Sequence, residues 1–421
     1  GRTLGAEAAG NDRLDLERLD LDQTKALEPD DVAVLSTGQL LAIGSEINQF
    51  SSADIQALTA KQLVALTTAQ LVALTSGHFS AFTTTQISSL STDQLPFLGS
   101  EELAGFGTDD FAALGSRQIA ALTSTQLQVL STSAFAAMSA TQIASIPATR
   151  LVGLGTDDIR ALSTSQVSAL TTAQMNLLGT DQLRALESAD IAVLSTKQVG
   201  ALSSAQFLAL GTNAFSVLTS TQVAALSTAV LGLLPKEDFG ALTTDQLNAF
   251  TTTQFAGLST EQLGMLETGD WAALATKQIA ALGTAQLVAL GTEDVRALLT
   301  TQVAALSSQQ LRALSTSQVA ALESSDIAIL TSKQIAGLDF ARIDALSTEG
   351  IAAIAPSILA VLTTSQLDAL STADLRALST AQVAALTSQQ LVSLGDDIAA
   401  FETMDLASLG TKQIASLTTA Q

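Results

Sequence analysis

Apolar residues recur along this chain with a period of eight. From Glu28 onward the sequence divides into units such as TTAQLVAL (67–74), STSQVAAL (315–322) and STAQVAAL (379–386). We call these units octads and number their positions 1 to 8. Position 5 is usually Leu, Ile, Val or Phe and position 8 is usually Leu, while position 1 is usually Ser, Thr or Gly and position 4 is usually Gln. We count 49 octads, of which only GSEINQF (44–50) and GDDIAAF (395–401) are one residue short.

The polar positions predict that each octad begins a helix. Ser or Thr followed three residues later by Gln is a capping box, in which each side chain bonds to the other residue's backbone N–H. One unbroken helix is excluded, because eight residues advance a helix by about 800° and the apolar positions would never form a stripe. The helix must therefore break in every octad, with position 1 following one helix and capping the next.

Glycine and proline fit this division. Position 1 carries the glycines that such a shared helix boundary would favour: Gly99, Gly107, Gly115, Gly155, Gly179, Gly211, Gly283, Gly291, Gly395 and Gly410. Most prolines stand at positions 1 and 2, near a helix start, where the missing N–H costs nothing. Pro96, at position 6, is expected to distort its octad.

A β-solenoid is the alternative architecture for so short a repeat. Positions 5 and 8 would point to opposite faces of a strand, and the intervening residues are Ala, Leu and Gln rather than β-branched residues. We therefore predict an all-α fold, an α-solenoid of short helix-turn units. Helices of about six residues are unstable alone in water, so neighbouring units must hold them.

A second, longer period is visible at position 4. Fifteen octads that lack Gln there form a series with steps of three or four octads, and the mean step is about 3.36 octads. Its members are Asp31, Asp54, His78, Asp110, Ala134, Asp158, Asp190, Ala214, Asp238, Asp270, Asp294, Asp326, Gly350, Asp374 and Asp405. This period predicts a superhelical turn of about 27 residues, which would place the series on one side of the coil.

The series supplies the candidate interaction site. Its aspartates form a predicted stripe: Asp54, Asp110, Asp158, Asp190, Asp238, Asp270, Asp294, Asp326, Asp374 and Asp405. The simpler interpretation is that each Asp caps its own helix and that six of them pair with a basic residue seven positions later, which is Arg117 after Asp110 and a lysine in the other five cases. Those lysines are Lys61, Lys197, Lys277, Lys333 and Lys412.

Composition removes most other chemistry. The net charge of -22, from 18 Lys and Arg against 40 Asp and Glu, repels nucleic acids and anionic lipid surfaces. Apolar residues make up 47% of the chain, enough to build a core, yet no run is long enough to span a membrane. Cysteine is absent and His78 is the only histidine, which excludes thiol chemistry and a Ser-His-Asp triad; His78 itself is interpreted as a substituted cap.

Adjacent acids are the one remaining feature with metal-binding character. Such pairs occur at Asp109–Asp110, Asp157–Asp158, Glu237–Asp238 and Glu293–Asp294. They could take Ca²⁺, but they lack the spaced ligands and the fixed glycine of a calcium loop. We therefore expect no cofactor and no enzymatic activity.

Runs such as LTAKQLVALTTAQLVAL and LSTSQVAAL resemble the repeat regions of very large secreted bacterial proteins, described as adhesin-like or exoprotein-like. The resemblance covers residues 28–421, after a lead-in of degenerate repeats at 1–27, and it transfers no catalytic residue. It implies an extracellular or cell-surface stalk, adhesin or filament segment. Its partner would be a protein, a cell surface or a second copy. The alternative is a protein-binding solenoid that uses its Asp-marked face.

Overall fold

The computed structural model describes residues 24–240 and 242–421. Residues 24–27 are therefore the only part of the predicted lead-in that it covers. Within the described residues all regular structure is helical, which confirms the all-α prediction and excludes the β-solenoid alternative. The chain divides into two compact units, one ending at Val217 and the other comprising Leu218–Gln421. That residues 28–421 form one continuous array stays a prediction.

Each octad from Glu28 onward contains one short helix. In the first unit the α-helices are Pro29–Val34, Thr37–Ala42, Ser52–Ala57, Ala60–Ala65, Thr68–Ala73, Ser76–Ala81, Thr84–Ser89, Ser100–Leu103, Thr108–Ala113, Ser116–Ala121, Ser124–Gln128, Thr132–Ala137, Ala140–Ser145, Ala148–Leu151, Thr156–Arg160, Thr164–Ala169, Thr172–Leu177, Thr180–Arg184, Ser188–Ala192, Thr196–Ala201, Ser204–Ala209 and Thr212–Val217.

The second unit repeats the arrangement. Its α-helices are Ser220–Ala225, Thr228–Gly232, Lys236–Phe239, Thr244–Ala249, Thr252–Ala256, Thr260–Leu263, Thr268–Ala273, Thr276–Ala280, Thr284–Val288, Thr292–Ala297, Thr300–Ala304, Ser308–Ala313, Thr316–Ala320, Ser324–Ala328, Ser332–Ile335, Phe340–Asp344, Thr348–Ala353, Pro356–Leu359, Thr364–Leu367, Thr372–Ala377, Thr380–Ala385, Ser388–Ser393, Thr403–Ala407 and Thr411–Ser416.

The exceptional octads form 3-10 helices. Gly44–Gln49 and Gly395–Ala400 occupy the two seven-residue units, and Leu95–Phe97 occupies the octad that contains Pro96. The predicted distortion at Pro96 is thus confirmed. The two short units begin at Gly44 and Gly395, whose φ values of 59° and 53° lie in the left-handed region. This turn, which glycine adopts without steric cost, accompanies the loss of one residue.

Most of the position-1 glycines are the N-caps of their helices, as Gly115 and Gly155 are, which agrees with their predicted place at helix boundaries. Among those predicted as shared helix boundaries, only Gly211 and Gly395 have positive φ. Gly155 is representative of the others, with φ -70° and ψ 163°, an extended geometry open to any residue. In the regular octads the preceding Leu is already extended, as at Leu66 with φ -59° and ψ 135°, so the chain turns without a left-handed residue.

Positions 5 and 8 form the core, as predicted. Their side chains are buried throughout the described octads, apart from Leu210 and, in the last two octads, Leu406, Ile414 and Leu417. Trp271 and Phe79 are among the largest side chains and have no exposed surface. Positions 2, 3 and 6 mostly face solvent. Burial of two apolar side chains per octad supplies the packing that a six-residue helix cannot supply alone.

Helices three octads apart pack against each other, which makes each unit a solenoid. In the first unit Ser116–Ala121 packs on Ala140–Ser145, which packs on Thr164–Ala169. In the second, Ser324–Ala328 packs on Thr348–Ala353. Side-chain hydrogen bonds described below reach four octads back. A turn therefore takes between three and four octads, in agreement with the sequence period.

Candidate functional site

Where position 1 is Ser or Thr and position 4 is Gln, the capping box at the start of the helix has the predicted geometry. In the helix Thr68–Ala73, the Gln70 N–H donates to Thr67 Oγ1 at 3.2 Å, and the Thr67 N–H donates to Gln70 Oε1 at 3.1 Å. The Thr67 hydroxyl also donates to the same amide oxygen, at 3.2 Å. The glutamine oxygen is thereby fully engaged within its own octad.

The amide nitrogen of the position-4 glutamine makes a second contact, which the capping box alone does not predict. Gln86 Nε2 donates to the carbonyl oxygens of Ile55 at 2.8 Å and Leu58 at 2.7 Å, at positions 5 and 8 of the octad four units earlier. Gln174 does the same with Ile143 at 3.0 Å and Ile146 at 2.8 Å. In the second unit Gln318 bonds to Leu287 and Leu290, both at 2.8 Å. Each such glutamine ties its helix to the previous turn.

Residues that replace glutamine at position 4 preserve this role where they can donate. Nδ1 of His78 lies 3.0 Å from the Thr75 nitrogen and its Nε2 lies 2.9 Å from the Phe50 oxygen, which confirms His78 as a substituted cap. Arg342 Nε donates to Leu314 O at 2.9 Å. Arg150 donates to Leu122 O at 2.6 Å. The common requirement is a donor directed at the position-8 carbonyl four octads back.

A signal for this contact was present in the sequence. A capping box accepts Glu as readily as Gln, because both offer an oxygen to the cap N–H. Yet this acidic chain places Glu at position 4 only at Glu102. Glutamate lacks the amide donor, and a carboxylate beside two carbonyl oxygens would be unpaired. The strong preference for Gln therefore indicated a second, donating role.

The predicted stripe aspartates cap their own helices. Asp54 Oδ2 accepts from the Ser51 N–H at 2.7 Å, Asp158 from Gly155 at 3.0 Å and Asp326 from Glu323 at 3.1 Å. Corresponding bonds hold Asp110, Asp190, Asp270, Asp294, Asp374 and Asp405. The cap residue of Asp238 is Pro235, which has no N–H to give.

Some of these carboxylates also accept a hydroxyl from the previous turn. Thr348 Oγ1 donates to Asp374 Oδ1 at 2.8 Å, and Thr380 Oγ1 donates to Asp405 Oδ1 at 2.9 Å. Each donor is a position-2 threonine three octads earlier. The equivalent residue below Asp54 is Pro29, and Oδ1 of Asp54 is buried without a partner. At position 4, Gln therefore donates to backbone carbonyls four octads earlier, whereas Asp accepts from a threonine hydroxyl three octads earlier.

The aspartates differ in exposure and in electrostatics. Asp110, Asp158, Asp270 and Asp294 are half-buried, and the remaining stripe residues are buried. Burial, which penalises the charged form, raises the pKa of four of these carboxyls. They are Asp158, Asp190, Asp238 and Asp326. Most of the stripe carboxylates are therefore directed toward the caps of their own helices.

The structure brings together stripe members that are three octads apart. The helices of Asp270 and Asp294, Thr268–Ala273 and Thr292–Ala297, pack against each other. The helix of Ala134 likewise packs on those of Asp110 and Asp158. Whether the whole series forms one unbroken stripe that binds a partner stays a prediction.

The expected lysine pairs do not form. Among the described residues the ion pairs join Arg160 to Asp157, Arg184 to Asp181, Arg296 to Glu293 and Arg342 to Asp339, each within one octad, and none includes the five lysines. The aspartates point into their caps, whereas position 3 faces solvent, so the two charges are held apart. Ion pairing within an octad replaces pairing between octads.

Other site classes find little support in the part of the chain that is described. No group of three Asp, Glu or His side chains converges as metal ligands there. A shallow, open depression in the second unit is lined by Thr228, Thr252, Thr253, Ala256, Gly257 and Ala281. The same described residues hold no helix with the length and apolarity needed to cross a bilayer.

Comparison with known protein families matches most of the chain to one repeat. The ALTTAQ repeat matches residues 47–84, 87–124, 111–146, 151–188, 183–214, 235–266, 263–300, 288–324, 319–355, 359–396 and 398–421. The matches confirm a repeat with an LTTxQ-like core in both units. No curated protein matches the chain.

Proposed function

Because the chain belongs to the ALTTAQ repeat family, we propose that it is a non-enzymatic structural repeat protein, a segment of an extracellular stalk, adhesin or filament. Its task in that role is to hold other modules at a distance or to transmit tension between them. Repeat proteins in which each unit contacts only near neighbours behave as one-dimensional stacks, and that behaviour suits a spacer.

The observation that carries this proposal is the repeated glutamine bond between turns. Gln142, Gln174 and Gln206 in the first unit each donate to carbonyls of the turn before, at distances of 2.6 to 3.0 Å. Gln262, Gln318 and Gln390 do so in the second unit, at 2.8 to 3.1 Å. These bonds are buried and therefore shielded from competition by water. A stack tied in this way resists separation of its turns.

Negative-stain electron microscopy of the purified chain tests the proposed architecture. We expect elongated rods or filaments, and residues 218–421 expressed alone should give particles that are proportionately shorter. Compact particles of unchanged outline in both samples would contradict a spacer role.

The extracellular location is a separate part of the proposal. The resemblance to large secreted repeat proteins supports it. Antibody labelling of intact cells that produce the protein should detect the array without permeabilisation, and a signal that appears only after lysis would contradict a surface location.

The alternative function, protein binding through the Asp-marked face, rests on a smaller set of residues. Asp110, Asp158 and Asp294 keep partial exposure, and their neighbours Asp109, Asp157 and Glu293 are exposed. A variant with Asp109→Asn, Asp157→Asn and Glu293→Gln should lose binding to a cell-surface partner if that face is used. The matched control changes the exposed acids Asp93, Asp245 and Glu261, outside the series octads. Equal binding by all three proteins would exclude this alternative.

A further inference from the structure

An exposed apolar stripe runs along the first unit, away from the Asp series. It consists of Val72, Phe97, Val129, Val152, Leu177 and Leu208, whose exposed fractions are 54%, 57%, 49%, 46%, 45% and 40%. Each occupies position 6 or 7, where most octads carry Ala, Gly, Ser or a polar residue. Their octads follow one another at steps of three, four, three, three and four, and each lies between two consecutive octads of the Asp series. This spacing is the superhelical period again, so the stripe has its own fixed side of the coil.

Direct contacts between turns connect the octads of the apolar stripe. The helix of Val72, Thr68–Ala73, packs on Leu95–Phe97, and the helix Ala148–Leu151, which ends just before Val152, packs on Ser124–Gln128 and Thr172–Leu177. At each of the two steps of four octads, a glutamine hydrogen bond connects the two turns. Gln126 Nε2 donates to Leu95 O at 2.7 Å, and Gln206 Nε2 donates to Met175 O at 3.0 Å. The six side chains therefore lie on successive, touching turns.

The apolar stripe is almost free of charge on a strongly acidic chain. The six octads that carry it contain only Asp93 and Arg150 as charged residues. The Arg150 guanidinium is held by the carbonyl oxygens of Ala120 and Leu122. By contrast, the net charge of the whole chain is -22. The acids are concentrated elsewhere, so this surface can approach another acidic surface with the least repulsion.

We propose that the apolar stripe is a self-association surface, which pairs two copies of this chain side by side about a twofold axis. An occupant must present apolar side chains at the superhelical spacing over several turns and must tolerate an uncharged contact. A second copy satisfies both conditions, since its own stripe has the same period and the same lack of charge. Twofold pairing of identical patches is the commonest way in which proteins form dimers.

The exposed area fits a dimer of modest affinity. The six side chains offer on the order of 500 Å² of apolar surface, a size at which exposed patches on monomers are commonly functional. A standard interface buries about 800 Å² per partner. The stripe thus supplies the apolar centre of such an interface, and the exposed and half-buried Ser and Thr residues of the same octads supply its rim.

Sedimentation velocity of the full chain tests the proposal with two matched variants. Val129→Asp with Val152→Asp places two carboxylates inside the stripe. Val34→Asp with Val193→Asp adds the same charge at exposed valines, 74% and 43% exposed, in octads of the Asp series. Both variants change solvent-facing residues, and circular dichroism verifies that their helical signal is retained.

The wild-type chain should shift toward twice the monomer mass between about 5 and 200 µM, a range suited to modest interfaces. Added NaCl should strengthen the association, because salt screens the repulsion between acidic chains without weakening apolar contacts. The stripe variant should associate at least about tenfold more weakly, since each carboxylate would be desolvated against an apolar surface. The control should match the wild type.

A monomeric wild type at the highest concentration would overturn the proposal. So would a stripe variant that dimerises normally, or a control that is weakened to the same degree. The inference goes beyond the proposed function, because a monomeric rod could serve as a stalk equally well. Failure here would leave the electron-microscopy test of that function unaffected.

Discussion

At the scale of the residue, one glutamine performs two tasks with its two ends. In Gln174 the amide oxygen caps its own helix at Thr171, and the amide nitrogen reaches Ile143 and Ile146 in the previous turn. The side chain is only 1% exposed. A buried amide in this setting is fully satisfied, so each end contributes stability only while the other group is also in place.

Replacing Gln174 with Glu separates the two tasks. The carboxylate can still accept from the Thr171 N–H, but it cannot donate to the two carbonyl oxygens. We expect a loss of about 2 to 4 kcal/mol at pH 7, because a charge would be buried beside unpaired acceptors. The loss should shrink as pH falls, since the protonated carboxyl regains one donor. Thermal unfolding followed by circular dichroism measures both effects.

Gln56→Glu is the control for this experiment. It adds the same charge at position 6, where the side chain faces solvent in the same unit. Its melting temperature should stay close to that of the wild type. An equal effect of the two substitutions would show that net charge, rather than the lost donor, determines the outcome.

Two aspartates should make the free energy of unfolding depend on pH in opposite directions. Burial raises the pKa of Asp326, against the opposing hydrogen bonds from Glu323 and Thr300. Hydrogen bonding to Arg342 lowers the pKa of Asp339. Stability linked to Asp326 is fully present below the unfolded pKa near 3.8 and is lost as pH rises through the higher folded pKa. Stability linked to Asp339 is present above its unfolded pKa and is lost as pH falls through the lower folded one.

Substitution with Asn should reveal these signs. Asp326→Asn should melt no lower than the wild type at pH 7, and any advantage should disappear toward pH values of about 4. Asp339→Asn should melt lower at pH 7, with a deficit that narrows on acidification. Melting temperatures measured across this pH range decide the matter, and a large loss in Asp326→Asn at neutral pH would contradict the assigned burial effect.

At the scale of the element, the octad is a helix that exists only within its stack. Its two apolar positions and its capping box were readable from the sequence, because both depend on residues within one octad. The position-3 lysines show where such reading fails. Sequence spacing placed them seven residues after an aspartate, but the direction of each side chain is set by the helix that carries it, and the aspartates are turned into their caps.

The glutamine bonds between turns show a second limit of prediction from the sequence, because their partners are far apart in the chain. Their partners lie 28 and 31 residues earlier, as for Gln86 with Leu58 and Ile55. No local motif encodes that distance. The superhelical period of about 27 residues predicted which octads would be neighbours. It could not predict that position 4 would meet the carbonyl end of the helix one turn below, since that depends on the tilt of each helix in the coil.

At the scale of the whole molecule, cohesion comes from contacts between turns, and each contact reaches back about one superhelical turn, as from Gln86 to Leu58, 28 residues earlier. Residues 218–421 form one of the two compact units and contain the only tryptophan, Trp271, which is fully buried. The fragment therefore contains its own core and its own reporter of folding.

We expect residues 218–421 to fold when expressed alone. The fragment should show a helical circular dichroism spectrum, and blue-shifted Trp271 emission that moves to longer wavelength on unfolding. A peptide of two octads, residues 219–234, should remain largely unfolded, because isolated helices this short are unstable. An unfolded 218–421 fragment would show that stability depends on the full length of the chain instead.

The glutamine bond has a consequence for how such a chain can change over generations. The acceptors of each glutamine amide lie at a fixed sequence separation, four octads earlier, and every regular octad offers the same two carbonyl oxygens. Slippage during replication that adds or removes eight codons would leave each glutamine with an equivalent acceptor. Deletion of a single codon would shift the acceptors out of place, unless a glycine in the left-handed region, such as Gly44 or Gly395, turned the chain at that point. Mutation can therefore change the length of the array by whole octads, and no new kind of contact between turns is needed.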